Sequence, residues 1–211
     1  MWPPQALDFL RDLEDNNDGA WFRANRSRYD EYLLAPARGL AESLKHLGEP
    51  HFFRPYRDTR FRPGPPLKEH LGFVLVPGTG GAYYVELSLD GLIVAAGMHM
   101  PQSDQLERFR LAINDGRRAA GFEKAVKLAE AAGLAVAEPE LKRPPRGFPA
   151  DHPRLDRLRL KRFTVHRHHR LTRRLHQPAC ATEIKAELEA ARPLMRWLAT
   201  SVGPSTRQRS G

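Results

Sequence analysis

One cysteine in 211 residues, Cys180, leaves no disulfide framework and no multi-cysteine metal site. Long apolar runs are missing as well. The longest, Leu71 to Pro77 and Leu92 to Met98, fall far short of the ~20 residues that span a bilayer, and the amino terminus lacks the basic-then-apolar pattern of a secretory signal. These absences predict a cytoplasmic protein with no membrane insertion. No H-E-x-x-H spacing is present, and Gly78-Thr79-Gly80-Gly81 lacks the Lys-Ser/Thr of a phosphate loop and runs into a strand. Ser88 and Cys180 have no recognisable activating context. There is no internal repeat and no low-complexity tract.

Positive charge is what the chain does have, and it is concentrated. The formal net charge is +9, yet Arg154 to Arg174 alone holds nine Lys or Arg against one acid, Asp156. The rest of the chain is nearly neutral. Such a run is either a solvated face or a surface that gathers polyanions. Under the second reading Arg157, Arg159, Lys161, Arg167 and Arg170 contact nucleic-acid phosphates or an acidic partner, and Phe163 and nearby histidines offer limited stacking. No recognition helix or RNA-binding motif accompanies it.

Periodicity predicts helices over Pro3–Asp15, from about Asp18 to Leu47 with a stop or kink at Pro36, after Pro101 through Ile113, from Gly121 to Ala132, and over Thr182–Ala199. Asn17 or Asp18, Ser103 or Asp104, and Asp151 are the expected caps. Strands are expected at Phe73–Val76, Tyr83–Leu89 and Leu92–Met98, a meander with Asp90-Gly91 as its tight turn, and again at Lys161–His169. Glu138 to Pro153 carries five prolines and predicts an extended crossing. The fold class is therefore α+β: one domain over 1–202 with a central antiparallel sheet flanked by helices, then a polar, flexible tail over 203–211.

The densest chemistry precedes the meander, in Arg57-Asp58-Thr59-Arg60-Phe61 with Lys68. Guanidinium forks suit bidentate binding of carboxylate or phosphate. Arg57, Arg60 and Lys68 around one carboxylate leave surplus positive charge for an anionic small molecule, with Asp58 orienting the forks and Glu86 or His99 as proton-transfer groups. The competing reading is structural: Asp58 and Glu86 pair with Arg57 and Arg60 and close a polar network under the loop. His70, His99 and His152 lack metal-ligand spacing, so no metal site is expected and no cofactor is named.

Asn16-Asn17 with Trp21-Phe22, the Arg57–Phe61 segment with Lys68, Gly97-Met98-His99-Met100-Pro101, Pro145-Arg146-Gly147-Phe148 and Asp151-His152-Pro153 together resemble a bacterial and fungal family of conserved hypothetical proteins, over about Phe9 to Trp197. Leu67, Pro65-Pro66 and His99 depart from its pattern, which favours an aromatic, a basic residue and a tyrosine there. The resemblance implies an α+β fold with an antiparallel sheet. It brings no activity, substrate or cofactor, and both an enzyme and a non-catalytic binding module stay open.

Overall fold

Alternating side chains build the sheet. The computed structural model describes residues 1–58 and 64–206, so Arg60 and the last five residues lie outside the described residues. Among the described residues, six strands form one antiparallel sheet in the order β1-β2-β3-β4-β6-β5. They are β1 (Glu49–Phe52), β2 (His70–Val76), β3 (Ala82–Ser88), β4 (Leu92–Met98), β5 (Ala135–Val136) and β6 (Phe163–His169). The expected meander and late strand are present. β1 and β5 are additions: one carries Pro50, tolerated on an edge strand because it need not donate, and the other is two residues long.

Leu71, Phe73 and Leu75, then Tyr83, Val85 and Leu87, then Leu92, Val94 and Ala96 are buried, while His70, Val74, Tyr84, Glu86, Ser88 and Ile93 between them stay half-exposed. Period two thus gives the meander a core face and an open face. Asp90-Gly91 turns as expected, with Gly91 at φ 152°. At Gly97, φ 135°, an added Cβ would stand 2.0 Å from the Phe163 carbonyl oxygen. Only glycine lets β4 and β6 approach this closely.

The chain forms two compact units: Met1–Leu75 with Tyr84–Val94 and His168–Lys185, and Val76–Tyr83 with Ala95–Arg167 and Ala186–Gly211. In the first, α1 (Pro4–Asp15) buries Leu7, Phe9, Leu10 and Leu13. Asp18 caps α2 (Gly19–Ala24), accepting from the N–H groups of Ala20 and Trp21. α3 (Arg26–Arg28) leads into a π-helical turn, Tyr29–Leu34, and then α4 (Ala35–Ser43). Pro36 therefore neither stops nor breaks the helix. It has no N–H to donate four residues back, and the wider turn before it absorbs the mismatch, with Ala35 N–H bonded to the Asp30 carbonyl. Phe9, Trp21, Phe22 and Tyr29 pack as an aromatic cluster. Cys180 is buried, as a small hydrophobe is.

In the second unit, α5 (Ser103–Asn114) starts at Gln102, whose N–H donates to the Gln105 side chain; Ser103 and Asp104 do not cap it. α6 (Gly116–Ala131) begins earlier than periodicity implies because Asp115 accepts from Arg118 N–H. Gly121 sits inside α6, where an added Cβ would stand 3.2 Å from the Trp197 ring. Glu138 to Pro153 is irregular, as expected, and leads to α7 (Leu155–Leu158). The turn into α7 is held by His152, not by Asp151: His152 Nδ1 accepts from Arg154 N–H at 3.1 Å and its carbonyl from Leu155 N–H.

The last helix is two, α8 (Pro178–Ala190) and α9 (Arg192–Ser201), because Pro193 cannot donate within a continuous helix. Phe109 stacks on Phe163 at 3.7 Å, and Phe122 and Trp197 meet it edge-on. Beyond α9, Gly203–Thr206 is tied to α5. Gln105 and Arg108 donate to the carbonyls of Gly203, Val202 and Pro204, and Ser205 and Thr206 donate to Asp104. Burial opposes ionisation of Asp104, yet the donors from Thr206, Ser205 and Arg108 hold its carboxyl well below the usual range. Among the described residues, no helix is long and apolar enough to cross a membrane.

Candidate functional site

Arg57 and Asp58, the described part of the arginine motif, follow an antiparallel bridge. Tyr56 pairs with Leu67, Arg57 N–H donates to the Pro66 carbonyl at 2.8 Å, and Lys68 N–H to the Pro55 carbonyl at 2.7 Å. Asn17, one of the residues that carried the family resemblance, anchors the base. Its amide accepts from Leu67 N–H at 3.0 Å and donates to the Leu67 carbonyl and to Glu69 at 2.7 Å, taking the place of a neighbouring strand. Leu67 is fully enclosed, which fixes the register and leaves its neighbour Lys68 half-exposed.

Lys68 then leads into the open face of β2 and β3. Its Nζ lies 5.5 Å from the Phe53 ring centroid, and Phe53 meets Tyr84 at 6.1 Å. The Tyr84 hydroxyl donates to Glu86, and His70 Nε2 stands 3.6 Å from the same carboxylate. Gly72 is the floor under both rings: a Cβ there would come within 3.2 Å of Tyr84 Oη and 3.3 Å of Phe53. Burial, reinforced by the Glu86 carboxylate, pushes the Tyr84 phenol far up, so it stays a donor through the physiological range. Cation, aromatic pair, carboxylate and imidazole thus form one run of contacts within the first unit.

Of the residues expected at the site, Glu86 and Lys68 lie on this run. Arg57 and Asp58 are exposed on the adjoining loop, and Arg57 pairs with Glu69 at 3.5 Å, not with Glu86. Glu86 is engaged by Tyr84 and His70, and Arg60, the other arginine of the expected polar network, lies outside the described residues. His99 is exposed and belongs to the second unit. The sequence does not single out Tyr84 or Glu69, and it offers His70 only as one of several histidines that could meet Glu86. The signal for Tyr84 and His70 was present: alternation puts His70 and Gly72 on the same face as Tyr84 and Glu86. Among the described residues, no group of three or more His, Cys, Asp or Glu is placed to hold a metal ion.

The basic run is largely occupied. Arg157 forks onto both oxygens of Glu123 at 2.9 and 3.1 Å, and Arg162 onto Glu140 at 3.0 and 3.1 Å. Arg159 donates to the Leu141 carbonyl, and Arg167 pairs at 2.9 Å with Glu187, which is only 4% exposed. Arg154 holds the end of α5 and Arg174 pairs with Glu183. Lys161 and Arg170 are exposed. Of the five residues expected to meet nucleic acid, Arg157, Arg159 and Arg167 make contacts within the fold.

The model of a conserved hypothetical protein family, DUF2461, matches residues 5–197. The chain belongs to that family. No curated protein and no solved structure matches it. The DUF2461 match takes in the Lys68–Glu86 face and the whole basic run, and it ends before the Gly203–Thr206 segment that closes on α5.

Proposed function

We propose that the protein binds a small anionic ligand, a phosphate or carboxylate attached to a flat ring, on the open face of β2 and β3. Lys68, Arg57 and Arg60 supply the charge that recognises the anion, and Asp58 orients the guanidinium groups. Phe53 and Tyr84 take the ring, since aromatic side chains offer a large apolar contact area with few rotatable bonds. Glu86, beside the Tyr84 hydroxyl and His70, is the group that takes a proton from the bound molecule, with His70 in place of His99 as its imidazole partner. The observation that carries this reading is the unbroken series of contacts from Lys68 through Phe53 and Tyr84 to Glu86 and His70.

The test is a thermal-shift panel of nucleoside monophosphates, phosphorylated sugars and aromatic carboxylates on the wild type, Lys68→Ala and Glu86→Gln. A ligand of this class stabilises the wild type and loses its effect in Lys68→Ala. If none of the panel acts, or if Lys68→Ala responds like the wild type, the reading fails.

A further inference from the structure

Two groups on the open face of β2 and β3 keep unused bonding capacity of opposite kind. Lys68 Nζ lies over Phe53, and no carboxylate among the described residues pairs with it. Glu86 is the counterpart. The Tyr84 hydroxyl donates to Oε2, and His70 Nε2 stands 3.6 Å from that same oxygen, so among the described residues Oε1 receives no hydrogen bond. The Glu86 side chain is only 16% exposed, yet Oε1 is not sealed, because Arg110 Nε is the one side-chain nitrogen or oxygen among the described residues that is both enclosed and unpartnered. Oε1 is therefore open to whatever occupies the face.

Glu69, on the adjoining loop, differs. Asn17 donates to its Oε1 at 2.7 Å and Arg57 reaches its Oε2 at 3.5 Å, so both oxygens are engaged. Lys68 and Glu86 do not neutralise each other either. The cation lies on Phe53, the carboxylate on the hydroxyl of Tyr84, and the two rings are 6.1 Å apart. A flat ring that merely stacked on Phe53 and Tyr84 would strip the remaining water from Oε1 and give nothing back. A ring that brings a donor replaces that water with a charge-assisted hydrogen bond.

We propose that the ligand of this face carries an N–H donor on its ring and that Glu86 Oε1 accepts it, so that the ligand class is an amino-substituted aromatic ring bearing a phosphate or carboxylate. The inference rests on the reading of the Lys68–Glu86 face given above and narrows it. Glu86 becomes the specificity-determining residue.

The experiment is titration calorimetry of the full chain with two matched pairs: adenosine monophosphate against purine riboside monophosphate, and 4-aminobenzoate against benzoate. The members of each pair differ by one amino group. In one pair the amino member binds the wild type at least about tenfold more tightly, and which pair does so tells phosphate from carboxylate. The preference persists in Tyr84→Phe, which keeps the ring and the carboxylate. It is lost in Glu86→Met, which removes both oxygens, and reduced in Glu86→Gln, which removes the charge. Lys68→Ala weakens both members of the pair alike. Equal binding within each pair, or a preference that survives unchanged in either Glu86 variant, overturns the inference and leaves the anion face standing. Absence of binding by all four compounds overturns both.

Discussion

Tyr84 donates its hydroxyl to the carboxylate of Glu86, two residues along the same strand and on the same face, so β3 carries its own hydrogen-bonded acid pair in the open. Two features make this possible. The alternation that buries Tyr83, Val85 and Leu87 turns both groups outward, and Gly72 on β2 leaves the space that the Tyr84 ring occupies.

Tyr83 and Tyr84 set an alkaline limit. Burial raises the Tyr83 phenol to about 12, and burial with Glu86 raises Tyr84 further. A folded pKa above the unfolded value of about 10 gives stability that is full below pH 10 and is lost as pH climbs toward the folded value. Denaturant midpoints should therefore fall between about pH 10 and 12, and the double variant Tyr83→Phe with Tyr84→Phe should flatten that fall. Ionisation followed at 295 nm should show Tyr84 titrating earlier in Glu86→Gln.

The Asp104 clasp responds to acid in the opposite sense. Its carboxyl is depressed in the folded protein, so the contribution is present above the unfolded value of about 4 and disappears as pH falls through the folded one. Asp104→Asn should lower the melting temperature at neutral pH and speed amide exchange at Thr206, whose N–H donates to this carboxylate at 2.9 Å. Unchanged exchange at Thr206 contradicts the clasp.

Arginines in the basic run should differ sharply in their effect on stability. Arg157→Ala removes a forked pair with Glu123 and the cation over Phe122. It should cost about 1–3 kcal/mol by chemical denaturation. Arg170→Ala, at an exposed position, should stay within about 0.5 kcal/mol. Equal costs would mean that the run is not a set of clamps.

Close approach at Gly97 gives a fourth prediction. With the Phe163 oxygen 2.0 Å from where a Cβ would sit, and φ at 135°, Gly97→Ala should destabilise by more than about 3 kcal/mol or prevent folding. Gly39→Ala, where a Cβ meets nothing within 4 Å, is the control and should be neutral or slightly stabilising in its helix.

Much of this fold is legible in the chain because its signals are local. The Asp90-Gly91 turn, the alternation around it and the Asp18 cap each act within a few residues. Ala135–Val136 became a strand only because β6 pairs with it, which no window of sequence contains. The π-helical turn Tyr29–Leu34 ahead of Pro36 is likewise not a pattern of side chains. At the candidate site, Glu86 and Lys68 were visible as chemistry near the motif. Their connection through Phe53, Tyr84 and His70 depends on which strands are neighbours. The basic run shows the converse: charge counted along the chain overstates charge available at the surface, because Glu123, Glu140 and Glu187 lie far from it in sequence.

The most direct measurement is a ring-proton NMR titration of the histidines with adenosine monophosphate, a phosphate joined to a flat ring, in wild type and Lys68→Ala. The account predicts a saturable shift at His70 that is lost in Lys68→Ala. A response confined to His166, His168 and His169, or no response at His70, contradicts it.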